Sequence, residues 1–377
     1  EEVQTYRNEV IANGKQLEEE WRKKFAAYAA AYPDLAEQFT RMQQRELPPN
    51  WEASLPSFPA DAKGIASRES SGTVLNAIAA QVPWLLGGSA DLAPSTKTLI
   101  KGAKSFQRNQ YDGRNLHFGI REHAMAAMLN GMALSKLRPY GATFLVFSDY
   151  MRPALRLAAL MEQPAIYIFT HDSIGVGEDG PTHQPIEHLA ALRAIPHLEV
   201  IRPADANEVT MAWKHIITLR NRPAALVLTR QALPTFDRAK YAAAEGVLRG
   251  AYVLADCNGA PEIILLGTGS EVQLCLAAYE QLQKEGARVR VVSMPCWELF
   301  EQQEAAYQEE VLPRRVRARV AVEAGAAFGW ERYVGLEGEV LGMRGYGASA
   351  PLKDLLKEFG FTVEGVVQAA KRVISKQ

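Results

Sequence analysis

The chain has 377 residues, of which 47% are hydrophobic and 23% charged, enough apolar material for two globular domains rather than one. A formal net charge of -1, with no basic block along the chain, provides no long-range attraction for nucleic-acid phosphates or an anionic membrane. The longest apolar runs, such as Ala165 to Thr170, fall far short of the roughly 20 residues that a bilayer span requires.

In chain order, Glu1-Glu2 come without an initiator Met, an apolar signal core or a transit pattern, and this start reads as a cut end. From Gly14 to Gln44 the text is charged and helix-periodic, with Trp21, Phe25, Ala26 and Ala29 on one face and a break at Tyr32-Pro33-Asp34, predicting two packed helices. Pro48, Pro49, Pro56 and Pro59 then read as a semi-rigid connector, so residues 1–64 are expected to lie outside the first main domain. From 65 to about 236, helix-length amphipathic segments alternate with short apolar runs: Trp84-Leu86, Ala142-Phe147, Ala165-Thr170, Leu198-Ile201 and Ala224-Thr229. That alternation predicts an α/β domain with a mainly parallel sheet. A second, smaller α/β domain is expected over 245–377, from strands at Glu262-Leu266, Val289-Val292 and Arg319-Glu323 and a helix at Glu271-Glu285. The fold class is thus α/β with two doubly wound domains. Cys257, Cys275 and Cys296 make neither a CxxC pair nor an even disulfide framework, which suits a reducing cytoplasm.

Open parallel sheets bind ligands at the carboxyl ends of their strands. Ala165-Thr170 leads into His171-Asp172-Ser173 and a loop carrying Asp179 and His183, and Ala224-Thr229 leads to Arg230 at the same edge. Two histidines, an aspartate and an arginine there suit an anionic, hydroxyl-rich ligand, a description that a sugar phosphate fits. Turn capping is the alternative for His171 and Asp179. Glu122 opens an apolar helix from Ala124 to Leu134, where helix-end chemistry alone could explain it. Phe144, Phe147 and Tyr150 recur at i, i+3 and i+6 across a strand end and a helix start, a pattern that fits core packing or a ring-stacking pocket. Gly87-Gly88-Ser89 reads as a loop that lets a ligand approach the backbone. Gly267-Thr268-Gly269-Ser270 is half a dinucleotide fingerprint without the third glycine or an acidic partner, so a plain strand-to-helix turn is expected.

Taken together, SRESS (67–71), GGSADLAPS (87–95), GIREHAM (119–125), THDSIGVGEDGPTHQP (170–185), LTRQ (228–231) and GTGSEV (267–272) resemble the transketolase family over essentially the whole chain. The resemblance implies a pyrimidine-binding domain and a C-terminal domain, without the N-terminal domain that binds Mg²⁺ and the diphosphate of thiamine diphosphate. It implies Glu122 at the aminopyrimidine, in a pocket of Phe144, Phe147 and Tyr150, with Asp91 near the cofactor across a homodimer interface. It also implies Arg68, Ser95, His171 and Arg230 on the sugar phosphate, Asp179 on a substrate hydroxyl and His183 beside the reacting carbon. The implied reaction is transfer of a two-carbon ketol unit between sugar phosphates, with half a site in this chain and little or no activity alone. The chain is then a truncated enzyme, or a subunit that needs a separate diphosphate-binding domain or chain. The alternatives are the β-type subunit of a thiamine-dependent 2-oxoacid dehydrogenase, which would need no sugar-phosphate clamp, and a non-catalytic dimerisation module.

Overall fold

The structure is a computed structural model that describes residues 1–376. Residues 1–50 and 51–377 form separate compact units. The first unit is a helix pair, Glu2–Ala31 and Pro33–Gln44, broken at Tyr32 where the following proline cannot extend the first helix. Phe25 stacks on Trp21 at 5.2 Å and meets Phe39 of the second helix at 5.5 Å. The first helix begins twelve residues before the expected Gly14, and Val3, Tyr6 and Leu17 are exposed along it.

In the second unit, six parallel strands lie in the order Asn115–His117, Leu85–Ser89, Arg138–Phe144, Ile166–Thr170, Ala224–Leu228, Glu199–Ile201. Ile166–Thr170 is buried along its whole length, as a parallel strand covered on both faces should be. On one face Tyr167, Phe169 and Val227 pack with Met125, Leu129 and Met151. Helices Ser67–Gln81 and Ala206–Thr218 are tied to each other by Trp213 Nε1 donating to Ser71 Oγ at 2.8 Å. The latter helix starts at Asp205, whose carboxylate accepts from the Glu208 amide at 2.8 Å.

A second sheet has the order Glu339–Met343, Arg319–Ala326, Ile263–Gly267, Val289–Ser293, Tyr252–Ala255, parallel except for the last strand. Its core centres on Trp297, Trp330, Tyr333 and Phe300. The fold is therefore the expected α/β class, with these two sheets and a two-stranded antiparallel ribbon of Asp61–Ala66 and Ala232–Thr235. Phe58, near the end of the Pro-rich connector, is held to helix Ala206–Thr218 by two 2.9 Å hydrogen bonds between its backbone and the Asn207 side chain. Among the described residues no helix is long and apolar enough to cross a membrane.

Two local readings are corrected. The strand expected at Ala142-Phe147 is Arg138–Phe144, followed by a short 3₁₀ turn, Leu145–Phe147, so Arg138, Pro139 and Tyr140 belong to it despite their mixed polarity. Arg138 can be buried there because its guanidinium donates to the Pro164 and Leu219 carbonyls at 2.7 and 2.9 Å. Gly87 and Gly88 lie inside strand Leu85–Ser89, where a Cβ would come within 2.0 Å of the Tyr140 carbonyl oxygen and 1.7 Å of that of Leu116. Neighbouring strands, not a ligand, require these glycines.

Candidate active site

The carboxyl edge of the six-stranded sheet carries the candidate residues. Asp91 follows strand Leu85–Ser89 and His171 follows Ile166–Thr170, and both adopt left-handed backbone, with φ of 61° and 62°. Such conformations cost on the order of 1 kcal/mol or more and persist where the surroundings hold them, often at functional sites.

A cavity of about 570 Å³ opens at this edge, lined by Ala90, Asp91, Leu92, Ile120, Glu122, Phe144, Phe147, Tyr150 and His183. Glu122 is 7% exposed and is the first residue of helix Glu122–Leu134. Its carboxylate makes no cap, hydrogen bond or ion pair among the described residues, so helix capping does not account for it. The carboxylate opens into the cavity, where it can accept from a donor brought in from outside the chain.

The three aromatics form a wall graded from core to solvent: Phe144 is buried and Tyr150 is 65% exposed. Phe144 stacks on Phe147 at 5.9 Å, and Phe147 on Tyr150 at 6.0 Å. Core packing therefore fails for Phe147 and Tyr150, which face the cavity. His183 meets Phe147 edge-on at 5.7 Å, with Thr182 Oγ1 2.9 Å from its Nδ1.

His171 continues the wall, its ring 3.6 Å from that of Phe144 and its Nδ1 2.8 Å from Thr170 Oγ1. Burial pushes its imidazole down to about 3, with Arg68, Arg230 and His183 adding to the fall. His171 is thus neutral at pH 7. Arg68 donates to the Ser95 carbonyl at 2.8 Å. Burial lowers the Arg68 pKa, with Glu69 opposing and Arg230 reinforcing. Arg230 is exposed and has no carboxylate partner among the described residues. The Arg68 and Arg230 guanidiniums, neither in an ion pair among the described residues, lie beside the neutral His171 and make a ready site for an anion.

Asp179 does not line the cavity; it is exposed on the loop after His171. Neither residue caps a turn, because that loop is capped by Ser173, whose Oγ accepts from the Gly175 amide at 3.1 Å. The hydroxyl of Ser95 has no hydrogen bond among the described residues; its carbonyl accepts from Arg68 and its amide donates to the Leu92 carbonyl at 3.0 Å.

Sequence reading missed Arg202. It is fully buried, lies 2.7 Å from the Asp172 carboxylate and ion-pairs with Glu271. Its Nη1 also donates to the Thr268 carbonyl at 2.9 Å. The Gly267-Ser270 turn therefore seats a guanidinium and not a phosphate: a Cβ on Gly269, at φ 55°, would lie 2.6 Å from Arg202 Cζ. The signal was present in Glu271 directly after the turn, but its partner is 69 residues away.

Residues 63–235 match the family model described as transketolase, pyrimidine binding domain, and residues 250–362 match the transketolase-like C-terminal domain. The transketolase of Halalkalibacterium halodurans is 54% identical over 100% of this chain and 57% of its own length. That of Geobacillus stearothermophilus is 55% identical over 98% of this chain and 56% of its own. A solved transketolase from Pichia stipitis, in complex with sedoheptulose-7-phosphate, superposes with a TM-score of 0.93 at 40% identity, covering 98% of this chain and 54% of that one. The chain thus spans a little over half the length of these relatives. With two consecutive domain models and whole-chain similarity in agreement, the chain belongs to the transketolase family, as its pyrimidine-binding and C-terminal part.

Proposed function

We propose that the chain supplies one half of a transketolase site, in which a two-carbon ketol unit passes between sugar phosphates. The observation that carries this reading is the Glu122 carboxylate, without a partner among the described residues, opening into an aromatic-walled cavity beside Arg68, Arg230, His171 and His183. That donor set fits a flat heteroaromatic ring with a basic nitrogen. Thiamine diphosphate, when bound, would supply an acidic ring carbon as nucleophile and a cationic ring as the electron sink for two-carbon transfer.

In this reading Glu122 holds and exchanges the proton at the pyrimidine ring nitrogen, while Phe144, Phe147 and Tyr150 stack on the ring and keep water out. Asp91 lies near the cofactor across a homodimer interface. Arg68, Ser95, His171 and Arg230 hold the substrate phosphate, Asp179 reads a hydroxyl, and His183 moves a proton at the reacting end. Mg²⁺ and the diphosphate fall to the part of the relatives' length that this chain does not span. The pyrimidine-binding domain is assigned to 65–236, the C-terminal domain to 245–377 and the connector to 1–64, in a cytoplasmic enzyme of the pentose phosphate pathway. The basic cluster favours this reading over a 2-oxoacid dehydrogenase subunit, whose substrate carries no phosphate.

The test is a ketol-transfer assay with thiamine diphosphate and Mg²⁺, on the purified chain with and without the separately expressed diphosphate-binding part of a relative. Activity only in the mixture is expected. Turnover by the chain alone, or none in either case, would overturn the half-site reading.

A further inference from the structure

The loop after strand Ile166–Thr170 is held from outside its own sheet. Gln184 is 2% exposed, and its Nε2 donates at 2.9 Å both to the Gly177 carbonyl within the loop and to the Ala348 carbonyl, which follows strand Glu339–Met343 of the second sheet. Ser349 Oγ donates to the carbonyl of the next loop residue, Glu178. At the loop's beginning, Asp172 is tied through Arg202 to Glu271 and the Thr268 carbonyl, again in the second α/β layer. The two carbonyls just before Asp179 are thus engaged by Gln184 and by Ser349, while Asp179 itself is exposed. A backbone pinned at consecutive carbonyls limits where the following side chain can reach.

We propose that Gln184 and Ser349 are positioning residues through which the C-terminal layer places Asp179, and that this placement sets the preference for a hydroxylated phosphate over a bare one. The proposal rests on the sugar-phosphate reading above. It gives the C-terminal layer a part in specificity, although none of its residues lines the cavity.

The test uses the full chain and the variants Ser349→Ala, Ser349→Thr and Gln184→Met. Hydrogen exchange over 173–184 and titrations with inorganic phosphate and ribose 5-phosphate are compared. Ser349→Ala and Gln184→Met are expected to speed exchange in that loop by roughly tenfold, with the thermal midpoint of Ser349→Ala unchanged because the position is exposed. Ribose 5-phosphate binding should weaken by about three- to tenfold while phosphate binding holds, and Ser349→Thr, which keeps the hydroxyl, should restore both readouts. Unchanged exchange in both variants overturns the tie. Faster exchange with an unchanged preference for ribose 5-phosphate overturns the role in specificity. If the wild-type chain binds ribose 5-phosphate no better than phosphate, the sugar-phosphate reading fails and the specificity role with it, while exchange still decides whether the two residues hold the loop.

Discussion

Asp172 and Arg202 follow two non-adjacent strands of the six-stranded sheet and meet in a fully buried ion pair, with 2.7 Å between Nη2 and Oδ2. Arg202 then reaches into the glycine turn of the second sheet, where Glu271 completes its neutralisation and itself accepts from the Ala324 amide at 3.0 Å. One arginine therefore joins the candidate substrate loop to the second α/β layer. A buried pair of this kind contributes little net stability, but removing one member leaves a stranded charge.

Arg202→Met is accordingly expected to destabilise residues 51–377 by about 3–5 kcal/mol, because Asp172 and Glu271 both lose their counter-ion in a dry site. Gly269→Ala should also be strongly destabilising, since its Cβ would meet Arg202 Cζ at 2.6 Å from a left-handed backbone. Urea unfolding followed by far-UV circular dichroism measures both; a loss below 1 kcal/mol in Arg202→Met, roughly the value of a surface pair, would contradict the account.

Glu122→Gln should leave the fold intact, because the carboxylate opens into the cavity and loses no partner among the described residues. In the two-part ketol-transfer assay it should reduce turnover by on the order of 10²-fold or more. Wild-type turnover in this variant would remove Glu122 from the proposed chemistry.

His171 gives a pH signature. Its folded value lies near 3, against an ordinary 6.5, so between those values the unfolded chain binds a proton that the folded chain refuses. Stability is therefore lost as pH falls from about 6.5 towards 3, and is fully present above that window. The ring proton signals of His171 should not titrate between pH 5 and 8 in an NMR series, and His171→Asn should lose less stability than wild type between pH 7 and 5. A His171 midpoint near 6.5 would show that its ring is hydrated and far from the arginines.

Tyr252 and Ser293 test the second buried link between the sheets. Both hydroxyls donate to the Glu208 carboxylate at 2.7 Å, and burial, followed by the neighbouring Asp205, raises the Glu208 pKa. Tyr252→Phe should cost about 1–3 kcal/mol, and the cost should shrink in a Glu208→Gln background, as a double-mutant cycle would measure. Additive losses would mean that the two groups do not act on each other.

The central strands were legible because buried parallel strands are near-continuous apolar runs: Ile166–Thr170 and Ala224–Leu228 fall within a residue of their expected bounds. Strands Asn115–His117 and Glu339–Met343 were not marked in the text. The first is only three residues long, and the second is half-buried and interrupted by Gly342, so neither carries a periodic signal. Strand Arg138–Phe144 began earlier than expected, because a charged residue can enter a strand when distant carbonyls satisfy it.

By itself, the sequence determined the α/β class, the family and the set of chemically capable side chains, since apolar runs, glycine turns and motif order are local properties of the chain. The tertiary structure decided which of those side chains share a space. It put Glu122, Phe144, Phe147, Tyr150 and His183 around one cavity and left Asp179 outside it. It also set the Arg202 guanidinium against the expected strand-to-helix turn at Gly267-Ser270. The physical reason is that burial, loss of hydration and the mutual repulsion of Arg68, Arg230 and His171 arise only once strand ends far apart in the chain lie side by side.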